Sequence, residues 1–181
     1  MDRPGKLNLA QIPTPIVDVK RLSAELGLDL RIKRDDLTGS HLSGNKIRKL
    51  EYLLAEALAK GATHVITCGG IQSNHCRATA WASRSLGLEP VLLLRTPHGE
   101  RADLPSPPTG NVLLDLIAGA TIHLCTPEGY GGRNARMELI AESLRARGAR
   151  PYVIPEGGSN ALGAMGYVEA AHELVQQTQD R

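Results

Sequence analysis

The sequence predicts an α/β fold, an open parallel sheet flanked by helices, and three observations carry that expectation. Four short apolar runs, His64 to Cys68, Val91 to Leu94, Thr121 to Cys125 and Tyr152 to Ile154, have the length of strands and are separated by helical patterns. Their starts recur about every 30 residues, the length of a strand, helix, strand unit. The helical stretches stop at Gly61, Gly87, Gly119 and Gly148, because glycine readily takes the left-handed conformation that ends a helix. No residues repeat with that spacing, so it is a rhythm of the fold and not a sequence repeat.

The elements follow in order. From Asn45 onward, Ile47, Leu50, Leu54 and Leu58 recur at helical spacing up to Gly61, so Asn45 reads as the cap and Lys46 as the first helical residue. After the first strand a helix is expected over about Asn74 to Leu86. The stretch from Arg95 to Pro108, dense in proline and glycine, is expected to be a surface excursion. Helices then follow over Gly110 to Ala118, Asn134 to Arg147 and, after the fourth strand, Ala161 to Gln177. In open parallel sheets the ligand crevice lies beyond the carboxyl ends of the strands. Two polar glycine loops fall there, Gly69-Gly70-Ile71-Gln72-Ser73-Asn74 and Glu156-Gly157-Gly158-Ser159-Asn160. Each opens a helix, and free N–H groups at helix starts favour an anion. Turn and cap chemistry alone also explains either loop. Their shared location is the stronger argument for binding.

Composition excludes several classes. The 181 residues suit one domain, or one and a part. With a net charge of +2, one Trp, four Tyr and no Phe, the chain offers no base-stacking platform, so nucleic acid is not expected as a partner. No apolar run approaches the ~18 residues of a membrane span, and Met1 to Gly5 lacks the apolar core of a secretory signal, so no membrane is expected and a cytoplasmic location is. Cys68, Cys76 and Cys125 are odd in number and lack C-x-x-C spacing, which fits a reducing compartment. Cys76 reads either as a packed thiol or as one made acidic by the helix start. His41, His64, His98, His123 and His172 show no ligand spacing, and no metal site is expected.

Lys46 carries the chemistry. A lysine with pKa near 10.4 is neutral about once in a few thousand molecules at neutral pH, and nucleophilic use requires a lower value. A helix start disfavours the cation by only ~0.3–1 kcal/mol, whereas full desolvation shifts the pKa by ~3–5 units. Burial is therefore expected to do most of the lowering. The alternative is a solvated lysine beside Arg48 and Lys49.

Four blocks resolve that alternative. Arg34-Asp35-Asp36-Leu37, Ser43 to Tyr52, Ile71 to Ala80, and Pro151 to Pro155 with Gly157 to Gly163 resemble, in order and at compatible spacing, the D-cysteine desulfhydrase and 1-aminocyclopropane-1-carboxylate deaminase family. The resemblance is closest to the desulfhydrase branch. It implies pyridoxal 5'-phosphate as cofactor and the fold of the tryptophan synthase β subunit. By resemblance, Lys46 holds the cofactor covalently, Asn74 lies beside its ring oxygen with Asn45 nearby, and Ser73 meets the substrate carboxylate and assists proton transfer. Asn74, His75, Gly158 and Ser159 complete the implied substrate site, although packing in its helix is the better-supported reading of His75 and a cap role suffices to explain Asn45. The implied reaction is β-elimination of D-cysteine, a small amino-acid substrate, to pyruvate, sulfide and ammonia, with Lys46 as the base. The alternatives are deamination of 1-aminocyclopropane-1-carboxylate and a non-catalytic remnant with an interaction role.

Two departures from the family pattern stand out. Glu156 replaces an apolar residue, and it either points inward, repelling a substrate carboxylate, or outward to water. Ser43 replaces a glycine. Relatives also run on for more than a hundred residues, so the chain is expected to be truncated and inactive alone. Residues 1–50, with the cofactor lysine, and 156–181 are expected to be parts of a larger cofactor domain, and 51–155 a complete smaller α/β domain. The full-length form is expected to be a homodimer.

Overall fold

The computed structural model describes residues 4–39, 44–97 and 103–179. In chain order the elements are β1 (Ile16–Asp18), α1 (Lys20–Leu26), β2 (Arg31–Lys33), α2 (Lys46–Ala59), β3 (His64–Gly70), α3 (Asn74–Ser85), β4 (Glu89–Arg95), α4 (Gly110–Ile117), β5 (Thr121–Cys125), α5 (Arg133–Arg145), β6 (Pro151–Val153) and α6 (Ala161–Thr178). The four expected strands form one parallel sheet in the order β5-β4-β3-β6, with Ile66 opposite Val91 on one side and Val153 on the other. Each expected helix is present within two residues of its expected ends, and Gly61, Gly87, Gly119 and Gly148 all have positive φ, from 65° to 83°.

The sheet is buried on both faces, and the strands alternate accordingly. Val65 packs with Ile47, Leu50, Leu53 and Leu54 of α2 and Ala78 and Ala82 of α3. On the opposite face Ile66, Cys68, Val91 and Leu93 meet Met137, Ala141 and Leu144 of α5. Leu92 and Leu94 join Cys76 and Ala80 of α3 and Val112 of α4. The chain winds outward from β3 through β4 to β5, then returns to place β6 on the other side of β3. That reversal opens a crevice beyond the carboxyl ends of β3 and β6. Both glycine loops leave from those two strands.

A second layer is built on α2. Helix α6 crosses it closely at Gly166, where a Cβ would lie 2.2 Å from the carbonyl oxygen of Arg48, so no larger residue fits. Arg48 is buried, at 2% exposure, between two carboxylates. Its Nε and one terminal nitrogen reach Asp35 at 2.9 and 2.8 Å, and the other reaches Glu173 at 2.9 Å. Burial pushes the Glu173 carboxyl up, but hydrogen bonds from Arg48 and Lys33 outweigh it and hold the group at about 2. An antiparallel pair, β1 with β2, and the short α1 complete this layer. These pieces carried no sequence signal because three-residue strands are too short to show a period. The boundary expected between Leu50 and Glu51 falls inside α2. Within the expected surface excursion, residues 98–102 lie outside the described residues, as do Ser43, His41 and His98.

Candidate functional site

Lys46 opens α2 as expected, but Asn45 does not cap it. Asn45 already has helical dihedrals, φ −64° and ψ −16°, and its side chain makes no cap hydrogen bond. The turn is held instead by Gly44, whose φ is 103° and whose carbonyl accepts from the buried Thr38 hydroxyl at 2.9 Å. Asn45 is thereby left at the surface. With Asp36, Gly44, Lys46, Asn74 and Arg77 it lines a cleft of about 200 Å³. Asp36 is clamped by Arg34 at 2.7 and 2.8 Å, and that hydrogen bonding holds its carboxyl below the usual range. Lys46 is half-buried.

The first glycine loop brings Asn74 to this cleft. Ser73 is the extended cap of α3 and accepts the N–H of Cys76 at 3.2 Å, so it faces its own helix and is not among the residues lining the cleft. The cap also settles Cys76: the thiol is fully buried and burial pushes it up, which rules out the acidic reading. Beyond the cap, Gln72 and Asn74 are tied to the start of α4 through Asn111, which donates to the Asn74 side-chain oxygen at 2.8 Å.

The second glycine loop meets a different part of α2 and α3. Lys49, one turn after Lys46, donates to the Gly157 carbonyl at 3.2 Å and to the Ser159 hydroxyl at 3.0 Å. Burial, and then the charge of Lys46, lowers its pKa. Gly158 has φ 60° and rests on Leu53, where a Cβ would come within 3.0 Å, and on His75, within 3.6 Å. His75 is only 3% exposed. The Thr67 hydroxyl lies 2.9 Å from its Nε2 and donates onward to the Ile154 carbonyl at 3.0 Å, so Nε2–H must be the donor and Nδ1 carries the lone pair. Nδ1 has no hydrogen-bond partner among the described residues. Burial, then Lys46 and Lys49, pushes the imidazole down to about 3, so it is neutral and packed.

Glu156 points neither into the cleft nor simply to water. It accepts from the Tyr130 hydroxyl at 2.7 Å and pairs with Arg133 at 2.9 Å. Arg95 and Arg133 lie against the Tyr130 ring, 5.1 and 5.2 Å from its centroid. The loop is thus moored to the start of α5.

The structure therefore gathers Asn45, Lys46 and Asn74 in one cleft, with His75, Gly158 and Ser159 around Lys49 beside it. Sequence reasoning missed Arg77, Lys49 and Asn111. Arg77 follows Asn74 by three, and Lys49 follows Lys46 by three, so helical spacing alone places each pair on one face. Nothing in the local sequence marks Asn111. The donor set fits the carbonyl end of pyridoxal phosphate: a primary amine, two side-chain amides and a cation beside one another. No group of His, Cys, Asp and Glu able to hold a metal is present among the described residues, and no helix among them is long and apolar enough to cross a membrane.

Known proteins resemble this chain over nearly its whole length. The chain is 50% identical over 172 residues to the mitochondrial bifunctional D-cysteine desulfhydrase/1-aminocyclopropane-1-carboxylate deaminase of Arabidopsis thaliana, covering 94% of this chain and 43% of that protein. It is 47% identical over 175 residues to the D-cysteine desulfhydrase of Salmonella typhi, covering 97% and 52%. A crystal structure of a homologue of the deaminase superposes with a TM-score of 0.85 at 41% identity, covering 97% and 52%. The chain spans about half the length of the curated relatives it matches. Residues 7–181 match the family described as pyridoxal-phosphate dependent enzymes, and it is to that family that this chain belongs.

Proposed function

We propose that this chain provides the lysine-bearing half of a D-cysteine desulfhydrase, which eliminates sulfide from D-cysteine and yields pyruvate and ammonia. The observation that carries the reading is the meeting of Lys46 and Asn74 in one cleft beyond the sheet. When bound, pyridoxal phosphate supplies an electron sink for the electrons released at the substrate Cα. Lys46 would hold the cofactor through its Nζ, and the same amine is the group placed to take the substrate's Cα proton. Asn74 would donate to the cofactor's ring oxygen, with Asn45 as a neighbouring residue of the same pocket. Ser73 and the backbone of its loop, with His75, Gly158 and Ser159, bind the substrate, whose carboxylate is drawn by the N–H groups of the helix starts and the nearby cations Lys49 and Arg77. His75 acts there as a neutral group, an acceptor at Nδ1 and never an acid at physiological pH.

In the same reading, residues 51–155 form the smaller domain, while 1–50 and 156–181 belong to the larger one. The full-length protein works as a cytoplasmic homodimer that binds no nucleic acid. The second activity, on 1-aminocyclopropane-1-carboxylate, is supported by the names of the same relatives.

Two measurements test the proposal. Borohydride reduction in the presence of pyridoxal phosphate, followed by peptide mapping, should label Lys46; label on Lys33 or Lys49 in its place would reject the assignment. With the carboxyl-terminal half of the Salmonella typhi relative joined in frame, sulfide release from D-cysteine should exceed ammonia release from 1-aminocyclopropane-1-carboxylate. The reverse order would favour the deaminase.

A further inference from the structure

We propose that Asn111, at the start of α4, is a positioning residue that fixes the orientation of the Asn74 side-chain amide, so that Asn74 presents its NH2 group and not its oxygen to the cleft. This rests on the reading of Lys46 and Asn74 as cofactor-binding residues and deepens it.

A side-chain amide has two nearly indistinguishable ends, and only its partners decide which is which. Here the assignment is anchored on backbone groups, which have no such freedom. The Asn111 Nδ2 donates to the Gln72 backbone carbonyl at 2.9 Å, which can only accept, so Nδ2 is the amino end. That same nitrogen donates to Asn74 at 2.8 Å, so the Asn74 atom it meets is the oxygen. Gln72 is fixed in the same way. Its Oε1 accepts from the Asn111 backbone N–H at 2.7 Å and its Nε2 donates to the Thr109 carbonyl at 3.0 Å. With its oxygen turned to Asn111, Asn74 has its two N–H donors at the other end of the amide for the cleft that it lines with Lys46. A ring oxygen that carries negative charge needs a donor at that place, and the wrong end of the amide would oppose it. Asn111 lies 37 residues from Asn74 and is not among the residues lining the cleft, so it acts through Asn74.

The substitution Asn111→Asp tests this because it keeps the shape and removes the donor. Asn74 should then turn its own NH2 toward the new carboxylate and its oxygen toward the cleft. Titration with pyridoxal phosphate of the chain joined in frame to the carboxyl-terminal half of the Salmonella typhi relative, followed by visible absorbance, should show about tenfold weaker binding and a displaced band for Asn111→Asp. Asn111→Ala should show a smaller loss. Asn74→Ala should lose as much as Asn111→Asp, and the double variant no more than either alone, because the two residues act as a unit. Additive losses, or an unmoved band in Asn111→Asp, would overturn the proposal. If the fusion carrying the wild-type residues gives no band at all, the cofactor reading of the cleft fails and the orientation is read separately. The side-chain amide resonances of Asn74 in a nitrogen-15 spectrum should shift in Asn111→Asp and stay in place in the exposed-surface control Leu139→Ala. Unmoved Asn74 resonances would reject the role of Asn111 whatever the cofactor does.

Discussion

The two glycine loops at the mouth of the sheet look alike in sequence and are held by opposite physics. The loop from Gly70 to Asn74 is anchored by neutral amides, Gln72 and Asn111, together with the Ser73 cap. The loop from Glu156 to Asn160 is anchored by charge: Glu156 to Arg133 and the Tyr130 hydroxyl on one side, Lys49 on the other. Neutral hydrogen bonds are insensitive to salt and to pH across the physiological range, while exposed ion pairs are screened and contribute ~0.2–1 kcal/mol. The first loop is therefore held by contacts that salt leaves unchanged, and the second in part by contacts that salt screens. Each loop has a lysine of its own on α2, Lys46 facing the first and Lys49 serving the second.

That division can be broken outright at the lysines, where the largest effect is expected. Lys46→Ala should abolish reducible attachment of pyridoxal phosphate, whereas Lys49→Ala should keep the label at Lys46. Loss of the label in both variants would mean that the lysines are not divided between the loops.

The helix that anchors the first loop offers the next test. One turn beyond Asn111, Asp115 is completely buried, and neither carboxylate oxygen has a hydrogen-bond partner among the described residues. Burial pushes its carboxyl up to about 7, only partly opposed by Arg77. The folded chain thus binds a proton between about pH 4 and 7 that the unfolded chain has released, so this group lowers stability as pH rises through that window. Asp115→Asn should leave stability unchanged near pH 4 and raise it above pH 7 by up to about 4 kcal/mol, measured by denaturant unfolding. His75 acts with the opposite sign. Its depressed value costs stability as pH falls from about 6.5 toward 3, so the Asp115→Asn variant should expose a plain acid-side loss that the wild type partly masks. A flat difference between variant and wild type across pH would refute the buried ionisation.

In the second loop, Gly158→Ala places a Cβ at φ 60° and 3.0 Å from Leu53, and should destabilise the chain by about 1–3 kcal/mol, lowering Tm by several degrees. The smallest effect is expected at Glu156. Glu156→Gln keeps an acceptor for the Tyr130 hydroxyl and removes the charge paired with Arg133, so it should cost less than about 1 kcal/mol, and less again in high salt. A cost that does not fall with salt would mean that the loop is held by something other than its charges.

Much of this was legible before the structure. Strand and helix places follow from local periodicity and stop residues, and Lys46 from the start of an amphipathic pattern. Asn45 misled because its residue type favours capping, while Gly44 and Thr38 had already made the turn without it. Helix α4 gave no face at all from its pattern. It buries Asp115 and leaves Leu113, Leu114, Leu116 and Ile117 exposed, which no apolar periodicity would assign. His75 left two readings open, and burial against Thr67 and Gly158 shows how it is packed.

The sequence by itself determined where the four sheet strands and the helices between them lie, the lysine at a helix start and the two glycine loops that follow strands, because these depend on residues within a few positions of one another. Only the tertiary structure decided what each loop is tied to. Asn74 meets Asn111 across 37 residues, Tyr130 meets Glu156 across 26 and Lys49 meets Ser159 across 110. Such partners are chosen by how the layers close, since a single polar side chain in a long chain carries no mark of the distant group that will satisfy it.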